Sequence, residues 1–259
     1  MIDITKAVEE FKKYIAPFEK DDDAAFDLKE KHTYGVMRIS KMIAESLELS
    51  DEDIKLAELI GLLHDIGRFE EMRVVNSFDS GKFDHAAYGV KILFEDGLIT
   101  RFTDDEELYP IIKAAVGNHS KLAIEEGLNE RALLHAKIIR DSDKIDNFEV
   151  KINRKPEHLF KNTVNSRAEF ENSLISKEVY DAIMNNKCVK SSDRKYALDY
   201  YIGVIGFILD INFKCSYKYI QEKDYINQLV DRFEYLVPET KIQMENIRVS
   251  ITKWVEEHI

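Results

Sequence analysis

The sequence predicts an all-α protein, and three observations carry that reading. Period-2 alternation of apolar and polar residues is almost absent, so strands leave no signal. Apolar residues recur instead at spacings of three and four. Only four Pro and ten Gly interrupt 259 residues dominated by Leu, Ile, Lys, Glu and Ala, which favour helix. A hydrophobic content of 44% is enough for a core, and the length fits one large domain or a core with a helical extension.

Asp3 or Thr5 can open a first helix with Val8, Phe11, Ile15 and Phe18 on one face. Asp21-Asp22-Asp23 breaks it and offers an N-cap for the next. That second helix carries the stripe Ala25, Leu28, His32, Val36, Ile39, Ile43, Leu47, which turns His32 inward. Ser50-Asp51-Glu52-Asp53 caps a third helix, apolar on most faces from Ile54 to Leu63 and therefore buried. It ends at His64-Asp65, with Gly67 placed to terminate it. Phe69 to Asp84 reads as irregular, with Asn76, Ser77, Asp79, Ser80 and Gly81 as turn residues. Asp84 caps a helix from His85 that Gly97 ends. Asp104 or Asp105 opens another, with Ile112, Ala115, Val116 and His119 on one stripe. Asn129 caps Glu130 to about Asn147, where Ala132, Ala136, Ile139 and Asp143 share a face.

Lys151 to Phe160 is basic, contains Pro156, and reads as a loop or short helix. Ala168 to Met184 gives one or two short helices. Ser191 or Ser192 caps a long helix through Tyr200 to Leu209, and Asp224 to Leu236 is a further one. Pro238 fits the first turn of the last helix, which carries Ile242, Ile247, Ile251 and Trp254.

The formal charge of −12 argues against a nucleic-acid polymer as partner, because such binders show a basic stripe. It leaves room for a small phosphate ester, since bound metal ions reverse the local sign. Cys188 and Cys215 form no framework, so a cytoplasmic location is expected. The N-terminus has no apolar h-region, and the longest apolar run, Tyr200 to Leu209, is too short to span a bilayer. No membrane partner is expected, and a homo-oligomer is compatible with the sequence.

Four histidines and two carboxylates fall at the ends or inner faces of the predicted helices: His32, His64, Asp65, His85, His119 and Asp143. Taken singly, each has a bland reading as a satisfied core or helix-end residue. Together, inward ionisable groups on successive helices would be costly without a cation to compensate them. Imidazole and carboxylate suit Fe, Mn, Co or Zn, and carboxylate also suits Mg. Adjacent His64 and Asp65 diverge by about 100° on a helix, so the carboxylate can reach a second ion. Asp141 and Asp143 face nearly opposite sides, so at most one of them is a ligand. His135, His158 and His258 lie in polar contexts and receive no role.

The order His32, His64-Asp65, Asp143 resembles the H…HD…D signature of the HD-domain metal-dependent phosphohydrolases. LIGLLHDIGRFE is similar to the family's central motif, and IIRDSDKIDNF to its closing motif, which selects Asp143 over Asp141. His85 in FDHAAYGV and His119 in VGNHS stand where two-metal members place extra ligands. The resemblance covers residues 24 to 150. It implies a helical HD core over 1–150 and a helical C-terminal extension, 151–259, that covers the site and selects substrate. It also implies one metal on His32, His64, Asp65 and Asp143 and a second on Asp65, His85 and His119, with a bridging hydroxide as nucleophile. Arg68, where the family often has Lys or Arg, could take a phosphoryl oxygen. Its alternative is a cation favoured by a helix C-terminus. Arg73 and Lys144 are further candidates for phosphate contact, and Asp141 and Asp146 for orienting a ligand imidazole.

Two departures bound the resemblance. The GYP motif of the cyclic di-GMP phosphodiesterases is missing, so that substrate is not carried over. Asn118-His119 replaces the paired histidines found there. In the C-terminal half, Arg154, Lys155, Arg167, Arg194 and Lys195 could meet a phosphate and Tyr196, Tyr200 and Tyr201 could stack on a base, but solvated cations on an amphipathic helix face are the preferred explanation. The leading expectation is a phosphohydrolase acting on a nucleotide or dinucleotide. A dinuclear-iron oxygenase on the same ligands and a non-catalytic nucleotide-sensing module are the alternatives.

Overall fold

The computed structural model describes residues 2–19, 24–75, 83–153 and 166–259. Among these the regular structure is helical, with no strand. No described helix is long and apolar enough to cross a membrane. The chain divides into two compact units, residues 1–143 and 144–259.

In the first unit, α1 (Ile4–Ile15) starts at Asp3, whose carboxylate accepts from the Lys6 N–H at 3.0 Å. It buries Ala7, Phe11 and Ile15, and Phe18 follows in a 3₁₀ turn still packed on the core. The three aspartates expected to cap the next helix lie outside the described residues. α2 (Ala24–Ser46) buries His32, Val36, Ile39 and Ile43, as their spacing predicts, while Leu47 falls just past its end. α3 (Asp51–Leu63) is capped by the Ser50 hydroxyl, which accepts from the Asp53 N–H at 3.2 Å. A cap of this kind contributes about 1 kcal/mol. A Cβ on Gly61 would stand 2.7 Å from the Met37 Cα. The missing side chain therefore lets α2 and α3 close on each other and brings His32 opposite His64.

The main departure from expectation follows α3. The helix breaks at His64-Asp65, and a new one, α4 (Ile66–Val75), begins at once. Gly67 lies in its first turn rather than ending α3. Its role is close approach: a Cβ there would meet the His85 carbonyl oxygen at 2.2 Å. α4 also buries Phe69 edge-on against Phe11 and Phe26, so the stretch read as irregular begins as core. Asn76, Ser77, Asp79, Ser80 and Gly81 lie outside the described residues.

α5 (His85–Val90) is capped by Asp84, whose carboxylate accepts from the Ala87 N–H at 2.9 Å. It continues into a π turn, Lys91–Glu95, and Gly97 closes the segment at φ +78°. Asp105 caps a 3₁₀ turn ahead of α6 (Tyr109–Asn118), which has Pro110 in its first turn. α7 (Glu130–Asn153) is capped by Asn129, whose side-chain oxygen accepts from the Ala132 N–H at 2.8 Å. It runs to Asn153 rather than Asn147. Phe148 is buried, and Glu149 accepts from the Tyr225 hydroxyl at 2.5 Å, which gives the extra turns a packed face. Residues 154–160 of the expected loop lie outside the described residues.

His135 departs from its expected polar context. It is fully buried on α7, and its Nε2 lies 3.0 Å from the Asp53 carboxylate, which Arg131 also holds at 2.7 Å. The cluster pins the start of α3 to α7. Burial pushes the His135 imidazole down. Burial would raise Asp53, but hydrogen bonds from His135 and Arg131 outweigh it and lower the group. Both folded values lie below the unfolded ones, so the unfolded chain binds more protons and stability is lost as the pH falls. The His135 contribution is complete above the ordinary imidazole value, about 6.5, and is lost on acidification below it. Urea unfolding of wild type and His135→Gln from pH 7.5 to 5 should show a shallower pH dependence in the variant. Equal slopes would remove His135 from the account.

In the second unit, the two short helices expected before Met184 are α8 (Arg167–Glu171) and α9 (Lys177–Met184). The long helix expected from Ser191 or Ser192 is instead α10 (Ala197–Ile205). The buried Asp199 carboxylate accepts from the N–H groups of Ser176, Lys195 and Tyr196 at 2.8–2.9 Å, and so fixes the helix start at Tyr196. A 3₁₀ segment, Gly206–Asp210, follows. The helix expected over Asp224 to Leu236 is shorter, α12 (Tyr225–Val230), preceded by α11 (Lys214–Glu222). α13 (Pro238–His258) buries Thr240, Met244, Ile247, Ile251 and Val255, whereas Ile242 is 65% exposed and does not share that face. Tyr201 is core, not a free stacking platform: it packs on Phe170 and Phe233 and donates to the Leu229 carbonyl at 2.8 Å.

Candidate metal centre

Six side chains from α2, α5, α7, the turn that ends α6 and the break between α3 and α4 converge in the first unit. His32, His64 and Asp143 form one donor triad, and Asp65, His85 and His119 a second; within each, the donor atoms lie within 4.8 Å of one another. His32 Nε2 is 3.1 Å from Asp143 Oδ1, and His64 Nε2 is 3.8 Å from the same oxygen. His85 Nε2 and His119 Nε2 are 3.0 Å apart, each 3.4 Å from Asp65 Oδ1. The other Asp65 oxygen, Oδ2, faces the first triad, 3.2 Å from His64 Nε2 and 3.7 Å from His32 Nε2. One carboxylate thus turns one oxygen to each triad.

The protein sets the tautomers through its backbone. His64 Nδ1 donates to the Gly61 carbonyl at 2.8 Å, and His119 Nδ1 to the Val116 carbonyl at 2.7 Å. Each N–H is used at Nδ1, so Nε2 presents its lone pair to the cluster. For these two rings the orienting partners are carbonyls, not Asp141 or Asp146. Both of those aspartates are buried on α7, but neither belongs to a donor triad.

His64 Nε2 and Asp65 Oδ1 are buried and make no hydrogen bond. Such orphaned atoms are costly unless a cation takes them. Burial raises the Asp65 carboxyl, but Lys29 and the neighbouring imidazoles outweigh it and hold the group well below the ordinary carboxylate range. Burial likewise opposes ionisation of Asp143, and His32 and His64 overcome it. Burial lowers His64 and pushes His85 down to about 3. These two rings are therefore neutral near pH 7 and ready as donors, with no proton to displace. The donor set is one that could hold a metal ion at either triad.

The cations sort differently. Arg68 sits in the first turn of α4, where the helix dipole disfavours a cation, so the helix-C-terminus alternative falls away. Glu71, fully buried, accepts from its Nη1 at 2.7 Å, and its Nε lies 3.7 Å from Asp65 Oδ1. Arg73 is not brought to the cluster: it pairs with Glu70 at 2.6 Å and lines a separate cavity with Tyr14, Tyr88 and Arg101. Lys144, in the second unit, pairs with Asp210 at 2.9 Å. Asn118 is not a ligand. Its amide donates to the Ala114 carbonyl at 2.8 Å and its oxygen accepts from the Glu125 N–H at 3.0 Å, shaping the loop after His119. Arg140 on α7 donates to the Asn118 and Leu122 carbonyls at 3.2 and 3.3 Å and ties that loop to the bundle. Sequence reasoning missed Lys29, Glu71 and Arg140; the first two stand one turn from His32 and Arg68, a spacing that could have flagged them.

Residues 30–147 match the family model described as the HD domain. This segment is an HD domain. Comparison with curated proteins and comparison with solved structures each returned no match. Within the HD domain, His32, His64-Asp65 and Asp143 stand in the order the sequence implied, and His85 and His119 complete the second triad.

Proposed function

We propose that the HD domain is a metal-dependent phosphohydrolase for a small phosphate ester of the nucleotide or dinucleotide class. The observation that carries this reading is the division of Asp65, one oxygen to each donor triad. When bound, divalent ions there supply Lewis-acid charge to phosphoryl oxygens and lower the pKa of a water. The carboxylates of Asp65 and Asp143 leave two such ions half compensated, which selects an anionic substrate. His32, His64 and Asp143 would hold one ion and His85 and His119 the other, with Asp65 shared. Arg68 donates to Glu71 and keeps a 17% exposed side chain near Asp65, which supports a role for it in contacting a phosphoryl oxygen. The charge of −12 favours a small substrate over a nucleic-acid polymer.

Metal analysis and ester hydrolysis on one preparation, with release read as orthophosphate or as the nucleotide product, test the proposal. Mono-, di- and cyclic nucleotides and dinucleoside polyphosphates would be assayed with Mn, Fe, Co or Mg. Two metals per chain with ester hydrolysis are expected. Bound iron with no release from any ester would move the centre to dioxygen chemistry. A protein that takes up no metal would sink the assignment.

A further inference from the structure

Lys29 stands one residue before the matched segment, 30–147, and one helical turn before His32 on α2. Its ammonium contacts Asp65 Oδ2. That is the oxygen turned to His32 and His64, at 3.7 and 3.2 Å. An ion on the His32, His64 and Asp143 donors that also takes Oδ2 competes with the ammonium for one atom. Two cations on one oxygen repel each other and divide its charge, so ion binding weakens the hold on Lys29 and favours its release.

The released ammonium has a defined set of places to go. Its Cα is fixed by α2, and its side chain is 15% exposed, so one edge already reaches solvent. A lysine offers three donors on a four-carbon stem and reorients readily. A centre carrying two divalent ions repels it and at the same time requires an anion. The position that meets both demands is on the anion.

We propose that Lys29 is a further phosphate-binding residue of this centre, held on Asp65 until an ion claims that oxygen and then turned to the phosphoryl group. The proposal rests on the phosphohydrolase reading for its ligand, but its first half concerns the metal alone.

The test uses the full chain as wild type, Lys29→Gln and Lys29→Arg, with circular dichroism confirming the fold of each. Calorimetric titration with Mn(II) should give roughly tenfold tighter binding for Lys29→Gln, an ordinary coupling between two competing ligands. Titration of the Mn-loaded proteins with inorganic phosphate should give roughly tenfold weaker binding for Lys29→Gln and near-wild-type binding for Lys29→Arg. Unchanged or weaker Mn(II) affinity in Lys29→Gln would overturn the competition. Phosphate affinity indifferent to Lys29→Gln, in a protein that still hydrolyses an ester, would overturn the phosphate role and leave the hydrolase reading intact. Lys29-dependent phosphate binding in a protein that hydrolyses no ester would support the proposal and count against the hydrolase.

Discussion

Asp65→Asn should cost the protein both ions and about a thousandfold in ester hydrolysis, equivalent to about 4 kcal/mol of barrier. The amide keeps the size of the carboxylate and removes its charge and one anionic oxygen. Both matter here, because Oδ1 lies 3.4 Å from His85 and His119 and Oδ2 lies 3.2 Å from His64. The remaining donors of the second triad are then two neutral imidazoles, a weak set for a divalent ion. The first triad keeps Asp143 and two imidazoles, but loses the charge that Oδ2 contributes. His85→Ala is the contrasting variant. It removes a donor from the second triad only, so one ion per chain should remain. Metal content by mass spectrometry on dialysed protein separates the two cases. If Asp65→Asn and His85→Ala lose the same single ion, Asp65 does not serve both triads.

The legibility of this centre in the sequence has a physical limit. His32 was legible because an imidazole on a 3–4 apolar stripe must face inward, and Val36, Ile39 and Ile43 on the same stripe are buried with it. Asp84, Ser50 and Asn129 were legible as caps because capping depends on a side chain and the N–H groups within one turn. What failed was everything decided by a neighbour distant in sequence. Gly67 reads as a helix stop when only its own turn is considered; the His85 backbone, packed against it, makes it a contact point instead. Arg73 follows the HD dipeptide closely enough to look like a phosphate ligand, yet α4 carries it to the Glu70 side. Ile242 belongs by spacing to the last helix's apolar stripe, but the buried face there runs through Thr240 and Met244. His135 looked polar by its flanks, and a partner 82 residues away, Asp53, allows its complete burial.

Gly67→Ala tests the packing that holds the second triad, and two effects of opposite sign decide its outcome. Gly67 lies in α4, and alanine in a helix is favoured over glycine by about 1 kcal/mol. By propensity alone the variant is stabilised. Against this, the new Cβ would lie 2.2 Å from the His85 carbonyl oxygen and 2.7 Å from the Gly89 amide nitrogen. Both are backbone atoms, so no rotamer change relieves the clash and α4 must part from α5. Overpacking of this kind costs about 1–3 kcal/mol, and more where backbone must move. The net expectation is a loss of about 2 kcal/mol in urea unfolding. The displacement falls on His85, which opens α5 and now stands 3.0 Å from His119, while His32, His64 and Asp143 lie on other elements. The variant should therefore keep one ion and lose the other. Gly117→Ala supplies the contrast: it is also helical, and its Cβ would meet only the Val90 side chain at 3.5 Å, an ordinary contact. Propensity should win there, with a gain of about 0.5–1 kcal/mol and both ions retained. A Gly67→Ala protein as stable as Gly117→Ala, with two ions bound, would show that α4 and α5 do not pack this closely and that His85 is not held by their contact.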